Sequence, residues 1–141
     1  MRRISSAVLL LSILIAGCAG RPASTGEPSR GQYLVESVSM CGECHTPRNE
    51  RGELDLARRL QGAILEIRPR RTMPDWAEEA PAIAGLQKMG DAAVIRLLEK
   101  GVLPDGKPAR PPMPQYRMSF GDAAASADYL KALPATNPQN R

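Results

Sequence analysis

Histidine is nearly absent from this chain: His45 is the only one in 141 residues, and cysteine occurs three times, at Cys18, Cys41 and Cys44. A structural zinc site needs four nitrogen or sulfur ligands, and Cys41, Cys44 and His45 supply three at most. Aromatic residues are scarce too, with one Trp, one Phe and three Tyr. With 13 prolines besides, a chain this small has little material for a large core built from side chains alone. Charge of one sign does not dominate. The formal net charge is +4, and Arg2 and Arg3 belong to a leader described below, so the remainder carries 4 − 2 = +2. That balance does not indicate nucleic-acid binding. No internal repeat is visible.

What is present is concentrated in Cys41-Gly42-Glu43-Cys44-His45. The pattern C-x-x-C-H marks covalent haem attachment. Two thiols three positions apart can each form a thioether to a vinyl group of one porphyrin, and the adjacent imidazole then lies against the iron. A thioredoxin-like dithiol would need a neighbouring βαβ pattern, and no strand-rich stretch precedes Cys41. The chain has no second C-x-x-C-H, so one haem is expected, and a porphyrin would supply the core that the side chains lack. Two carboxylates on that haem would bring the chain close to neutrality. Arg58, Arg59, Arg68, Arg70 and Arg71 form a local basic run, expected to be a solvated face with one arginine near a haem propionate; the sharper readings are a propionate clamp or a dock for an acidic partner.

The N-terminus reads as a leader. Arg2 and Arg3 precede an apolar run from Ile4 to Ile15 that is too short to span a bilayer comfortably. Ile15-Ala16-Gly17-Cys18 resembles the lipobox of bacterial lipoproteins, whose cysteine is lipidated and becomes the mature N-terminus. The expected organisation is a signal peptide over residues 1–17, a flexible tether over 18–29, a haem domain over 30–135 and a tail over 136–141. Lipid on Cys18 would anchor the chain to a membrane facing the bacterial periplasm.

Helix signals are local and few. Ser29 with Gln32 forms a capping-box pattern that opens a helix over 30–40, with Leu34, Val38 and Cys41 on one face. Residues 48–90 are interrupted by Gly52, Gly62, Pro69, Pro74, Pro81 and Gly85; a short helix is expected over 54–60 and a strand pair near 64–67. Asp91 is expected to cap a helix over 92–100 that ends at Gly101. Residues 108–116 hold four prolines and should be extended. Ser119, with Asp122 three positions on, opens a last helix with Ala123, Ala127, Leu130 and Leu133 as its buried stripe.

Iron bound by His45 alone has an open face, and the single histidine excludes a second imidazole from this chain. Met113, in Arg110-Pro111-Pro112-Met113-Pro114-Gln115-Tyr116, is the expected distal ligand because the flanking prolines restrict its backbone. Met73, followed by Pro74, is its main competitor. Met40 abuts the attachment motif, and Met89 and Met118 can serve as packing.

These residues resemble the class I, small monohaem c-type cytochromes of bacteria. Arg30-Gly31-Gln32-Tyr33-Leu34-Val35 before the attachment motif is similar to the family's first helix. Residues 101–116 are similar to its distal-methionine loop, and Ala127-Asp128-Tyr129-Leu130-Lys131-Ala132-Leu133 to its closing helix. The resemblance implies an all-α fold with long loops, wrapped around one covalent haem c held by Cys41 and Cys44. It implies axial ligation by His45 and Met113, and Trp76 reaching toward a propionate. First and last helices would cross beside the haem, with Gly31 permitting close approach and Tyr129 packing near the crossing. The implied role is an electron carrier for a redox partner protein, with no catalytic residues of its own. The competing readings are a five-coordinate haem that senses small ligands or reduces peroxide, an obligate cytochrome subunit of a larger oxidoreductase, and a haem-free lipoprotein. The long arginine-rich middle, residues 50–80, departs from the minimal family pattern.

Overall fold

The computed structural model describes residues 29–135. The leader, Cys18, the tether before Ser29 and the 136–141 tail lie outside them. Ser29 begins the first helix as expected: its hydroxyl accepts the Gln32 N–H at 3.1 Å and opens α1 (Arg30–Tyr33). The chain then widens into a π-turn over Leu34–Val38, closed by the Ser39 N–H donating to the Leu34 carbonyl at 2.8 Å. A π-turn accommodates one extra residue and shifts the phase of the side chains. Val38 is consequently 52% exposed, and the buried face is Gly31, Leu34 and Val35 in place of the expected stripe through Val38. Cys41 still packs against the core.

Met40, at φ 47°, separates the π-turn from α2 (Gly42–His45). The helix expected over 54–60 is a single 3-10 turn, Leu56–Arg58, capped by the Asp55 carboxylate on the Ala57 N–H. It stops at Arg59, whose ψ of 130° leaves the helical region, and Leu60 follows in the left-handed conformation at φ 60°. The fold is helix-rich without being purely helical. A two-residue strand β1 (Ala63–Ile64) pairs antiparallel with β2 (Glu79–Ala80) in the register Ala63↔Ala80 and Ile64↔Glu79. The strand pair expected near 64–67 is not local: only its first strand lies there, and its partner Glu79–Ala80 comes well downstream, with no hairpin turn to announce it.

Asp91 is the first residue of α3 (Asp91–Lys100), and Gly90 takes the cap position expected for Asp91. The carboxylate of Asp91 meets Lys131 Nζ at 2.6 Å, a long-range partner that competes with the local capping bond. Gly101 ends the helix at φ 69° and donates its N–H to the Leu97 carbonyl. Ser119 caps α4 (Phe120–Ala132) through the Asp122 N–H.

The core is assembled from Val35, Leu60, Ala84, Val94, Leu98, Ala123, Ala127 and Leu130, with no aromatic side chain among them. Helix α4 packs on both α1 and α3. At the α1–α4 crossing, a Cβ on Gly31 would run into the Ala125 carbonyl and stand 2.9 Å from Tyr129 Cβ, so only glycine fits. Arg30 bonds Asp122 across the same crossing at 2.9 Å and holds that carboxyl below the usual range.

The crossing makes a paired prediction. Gly31→Ala should destabilise the protein by about 1–3 kcal/mol, the usual cost of overpacking. Gly121→Ala in α4, whose Cβ meets nothing within 4 Å, should instead stabilise by about 0.5–1 kcal/mol through helix propensity. Denaturant midpoints of the two variants measure both.

Candidate haem-attachment site

Helix α2 sets the spacing of the donor set. His45 N–H donates to the Cys41 carbonyl at 2.9 Å and Cys44 N–H donates to the same carbonyl at 3.3 Å, so Cys41 and Cys44 lie one turn apart with His45 following. Both cysteines are free and half-buried. Burial pushes the Cys41 thiol up to about 11, so it is no thiolate at neutral pH, whereas a dithiol redox catalyst needs a depressed thiol. Among the described residues no cluster of three or more His, Cys, Asp or Glu side chains is arranged to hold a metal ion.

His45 is 8% exposed, and its Nδ1 lies 2.7 Å from the Pro81 carbonyl. Burial lowers its pKa and keeps the ring neutral, although the carbonyl pulls the other way. A neutral imidazole facing a carbonyl acceptor must carry its single proton on Nδ1. Nε2 is then left with a lone pair. This is the tautomer and orientation that metal-ligating histidines adopt, with the second nitrogen bonded to a backbone carbonyl.

The Pro81 carbonyl is held by a short relay of buried contacts. Thr46, next to His45 and 2% exposed, accepts the Leu60 N–H on its Oγ1 at 3.0 Å. The Leu60 carbonyl in turn accepts the N–H groups of Ile83 (2.9 Å) and Ala84 (3.0 Å), and Gly62 N–H donates to the His45 carbonyl at 2.8 Å. At Gly62, with φ 89°, a Cβ would stand 2.9 Å from the Ala82 nitrogen and 3.0 Å from the Ala80 oxygen. Residues 60–62 and 80–84 thus form one wall against α2. None of Thr46, Leu60, Gly62 or Pro81 was singled out as a site residue in the sequence. Three of the relay's four acceptors are backbone carbonyls, which leave no side-chain signature.

The loop carrying Met113 is fastened at both ends. Arg110 donates to the carbonyls of Asp75 (3.1 Å) and Trp76 (2.8 Å), and Ala77 N–H donates to Pro111 O at 2.7 Å. At the other end, the Tyr116 hydroxyl donates to the Ser39 carbonyl at 3.0 Å. Tyr116 packs against the core beside Cys41, and its pKa is raised by burial and then by facing Cys41 and Cys44. Met113 is half-buried between these fastenings.

The other methionines sort differently. Met118 Sδ accepts from Ser126 Oγ at 3.9 Å, and Met89 packs against the core. Met40 is 58% exposed. Met73 lines an open cleft of about 650 Å³ with Arg68, Thr72, Trp76 and Arg110. Trp76 lies on that cleft, but its indole N–H donates to the Ile67 carbonyl at 3.1 Å, so this one donor already has an acceptor. Of the basic run, Arg58 meets Asp55, Arg59 meets Glu36 and Arg68 meets Glu78. Arg59 also donates to the Tyr129 hydroxyl, which itself donates to Glu36 at 2.6 Å beside the helix crossing.

No family model matches the chain. It is 35% identical over 122 residues to a diheme cytochrome c-type protein of Cereibacter sphaeroides, a match covering 77% of this chain and 36% of that one. It is 29% identical over 117 residues to the fructose dehydrogenase cytochrome subunit of Gluconobacter japonicus, covering 76% of this chain and 22% of that subunit. The chain is similar to c-type cytochromes. It spans about a third and about a fifth of these two relatives. The donor set fits a covalent haem c: two thiols one turn apart, and a neutral imidazole whose Nε2 is the free nitrogen.

If Thr46 fastens the relay through its hydroxyl, Thr46→Val should leave the buried Leu60 N–H unpaired and destabilise the protein by about 1–3 kcal/mol. Thr46→Ser should recover most of that loss. Equal losses in urea denaturation for both variants would show that the methyl, not the hydroxyl, matters.

Proposed function

We propose that this chain is an electron-transfer c-type cytochrome domain with one covalent haem. Cys41 and Cys44 hold the porphyrin, His45 is the proximal ligand and Met113 the distal one. The observation that carries the reading is the buried His45, whose Nδ1 lies 2.7 Å from the Pro81 carbonyl next to the free thiols of Cys41 and Cys44. The similarity to cytochromes c-type in name supports it independently.

When bound, the haem iron supplies one-electron exchange between its ferric and ferrous states. The chain's residues do the rest. The Pro81 carbonyl orients His45 and raises the basicity of Nε2. Arg110 and Tyr116 restrain the Met113 loop from both sides, which limits the ordering cost of thioether ligation. A thioether favours the ferrous state, and a filled sixth position discourages oxygen chemistry. This separates an electron carrier from a five-coordinate sensor or peroxidase.

The partner proposed is a redox protein, and the similarity to a dehydrogenase's cytochrome subunit supports a dehydrogenase as electron donor. Export and lipidation at Cys18 are proposed from the leader alone, with the domain facing the periplasm.

Three measurements test these parts. A haem-staining band on a denaturing gel and a pyridine haemochrome spectrum should report one covalent haem per chain; a haem-free exported protein would end the proposal. The oxidised protein should show a weak far-red sulfur–iron band that disappears in Met113→Ala, persists in Met73→Ala, and whose loss accompanies a lower reduction potential. Survival of that band in Met113→Ala would reassign the distal ligand. Cys18→Ser should abolish lipid labelling and release the protein from membranes.

A further inference from the structure

Residues 63–80 form a braced excursion of the chain, closed by the β1–β2 pair and exposed over 66–68 and 70–75. Its stem is the β1–β2 pair, extended by Leu65 N–H donating to Glu78 O at 2.8 Å and by the Trp76 indole N–H on Ile67 O. Its base is fastened to the Met113 loop by Arg110 and by the Ala77–Pro111 bond. The tip, residues 68–74, carries Arg68, Arg70 and Arg71 and no acidic residue. All three arginines are exposed. Arg68 has a loose 3.4 Å contact with Glu78, both side chains being well over half exposed. Among the described residues, no ion pair engages Arg70 or Arg71, whereas Arg30, Arg58 and Arg59 each meet a carboxylate. Ile67 (54% exposed) and Met73 (45%) flank the charges with apolar surface.

Exposed, uncommitted charge on a braced segment is suited to steering an oppositely charged partner, and apolar side chains beside it supply contact area once docked. We infer that the Arg68–Arg70–Arg71 tip is a docking element for an acidic patch on the redox partner protein. The inference rests on the electron-transfer reading above. The stem decides the class of partner. Glu66, Glu78 and Glu79 are exposed there, and a uniformly anionic lipid surface would meet those carboxylates together with the arginines. A protein's acidic patch is local and can engage the tip alone.

The test uses the full haem-loaded chain in neutral detergent, with Arg70→Glu/Arg71→Glu compared against Arg96→Glu/Lys100→Glu on α3. Both double variants change the net charge equally. Two anionic probes stand in for the partner. Poly-L-glutamate binding is read by calorimetry. Oxidation by hexacyanoferrate(III), in which one electron passes from iron(II) to leave iron(III) and hexacyanoferrate(II), is read by stopped-flow absorbance. At low ionic strength the tip variant should lose polyglutamate binding and react about fivefold more slowly, converging with wild type near about 0.5 M salt, while the α3 variant changes much less. Equal effects from both variants, or none from either, would overturn the docking role. So would amide-exchange protection of 64–74 by phosphatidylglycerol in phosphatidylcholine vesicles without polyglutamate binding, which would give the tip to a membrane. A chain lacking haem absorbance fails the earlier reading instead, before any kinetics are measured.

Discussion

The bond between the His45 ring and the Pro81 carbonyl is the constraint on which the candidate site depends. It joins the attachment helix to a segment 36 residues downstream, and it fixes both the ring's orientation and its tautomer. A buried imidazole without that acceptor could place its proton on either nitrogen, and a proton on Nε2 would block the atom a metal needs. The carbonyl is itself held, because the Leu60 carbonyl accepts from Ile83 and Ala84 and the Leu60 N–H is satisfied by Thr46. The arginine-rich middle thus lies between the two segments, 60–62 and 80–84, that wall in the His45 ring.

The sparse core is closed by a different device, a close approach of backbones. Its members are aliphatic and small, three of them alanines, and α4 can approach α1 closely because Gly31 has no side chain to collide with Ala125 and Tyr129. The tyrosine at this crossing is tied to Glu36 and Arg59, and burial pushes its phenol up to about 12 with Glu36 adding to the rise. The crossing is therefore packed by backbone proximity and closed at its rim by hydrogen bonds. Cys41 and Tyr116 lie partly buried against this core, which couples packing of the helices to the attachment site.

Much of the site was legible because its chemistry is local. The five residues from Cys41 to His45 bring their own helical turn, and a motif contained within one turn needs little from the rest of the chain. Capping by Ser29 and Ser119 was readable for the same reason: donor and acceptor are three residues apart. The failures involve partners distant in sequence. Asp91 has the composition of a cap, yet Lys131 takes its carboxylate. The first helix changes to a π-turn after Tyr33, a shift of phase that no residue in Leu34–Val38 announces.

By itself, then, the order of residues determined the donor set, its spacing, the helix starts and the left-handed stop at Gly101, all properties set within a few peptide units. Tertiary structure decided which nitrogen of His45 is free, which carbonyl holds it, how the Met113 loop is fastened and which arginines stay exposed without a carboxylate partner. Those depend on backbone groups brought together across long stretches of chain, and every residue carries the same N–H and C=O, so nothing in the side-chain pattern distinguishes the carbonyl of Pro81 from its neighbours.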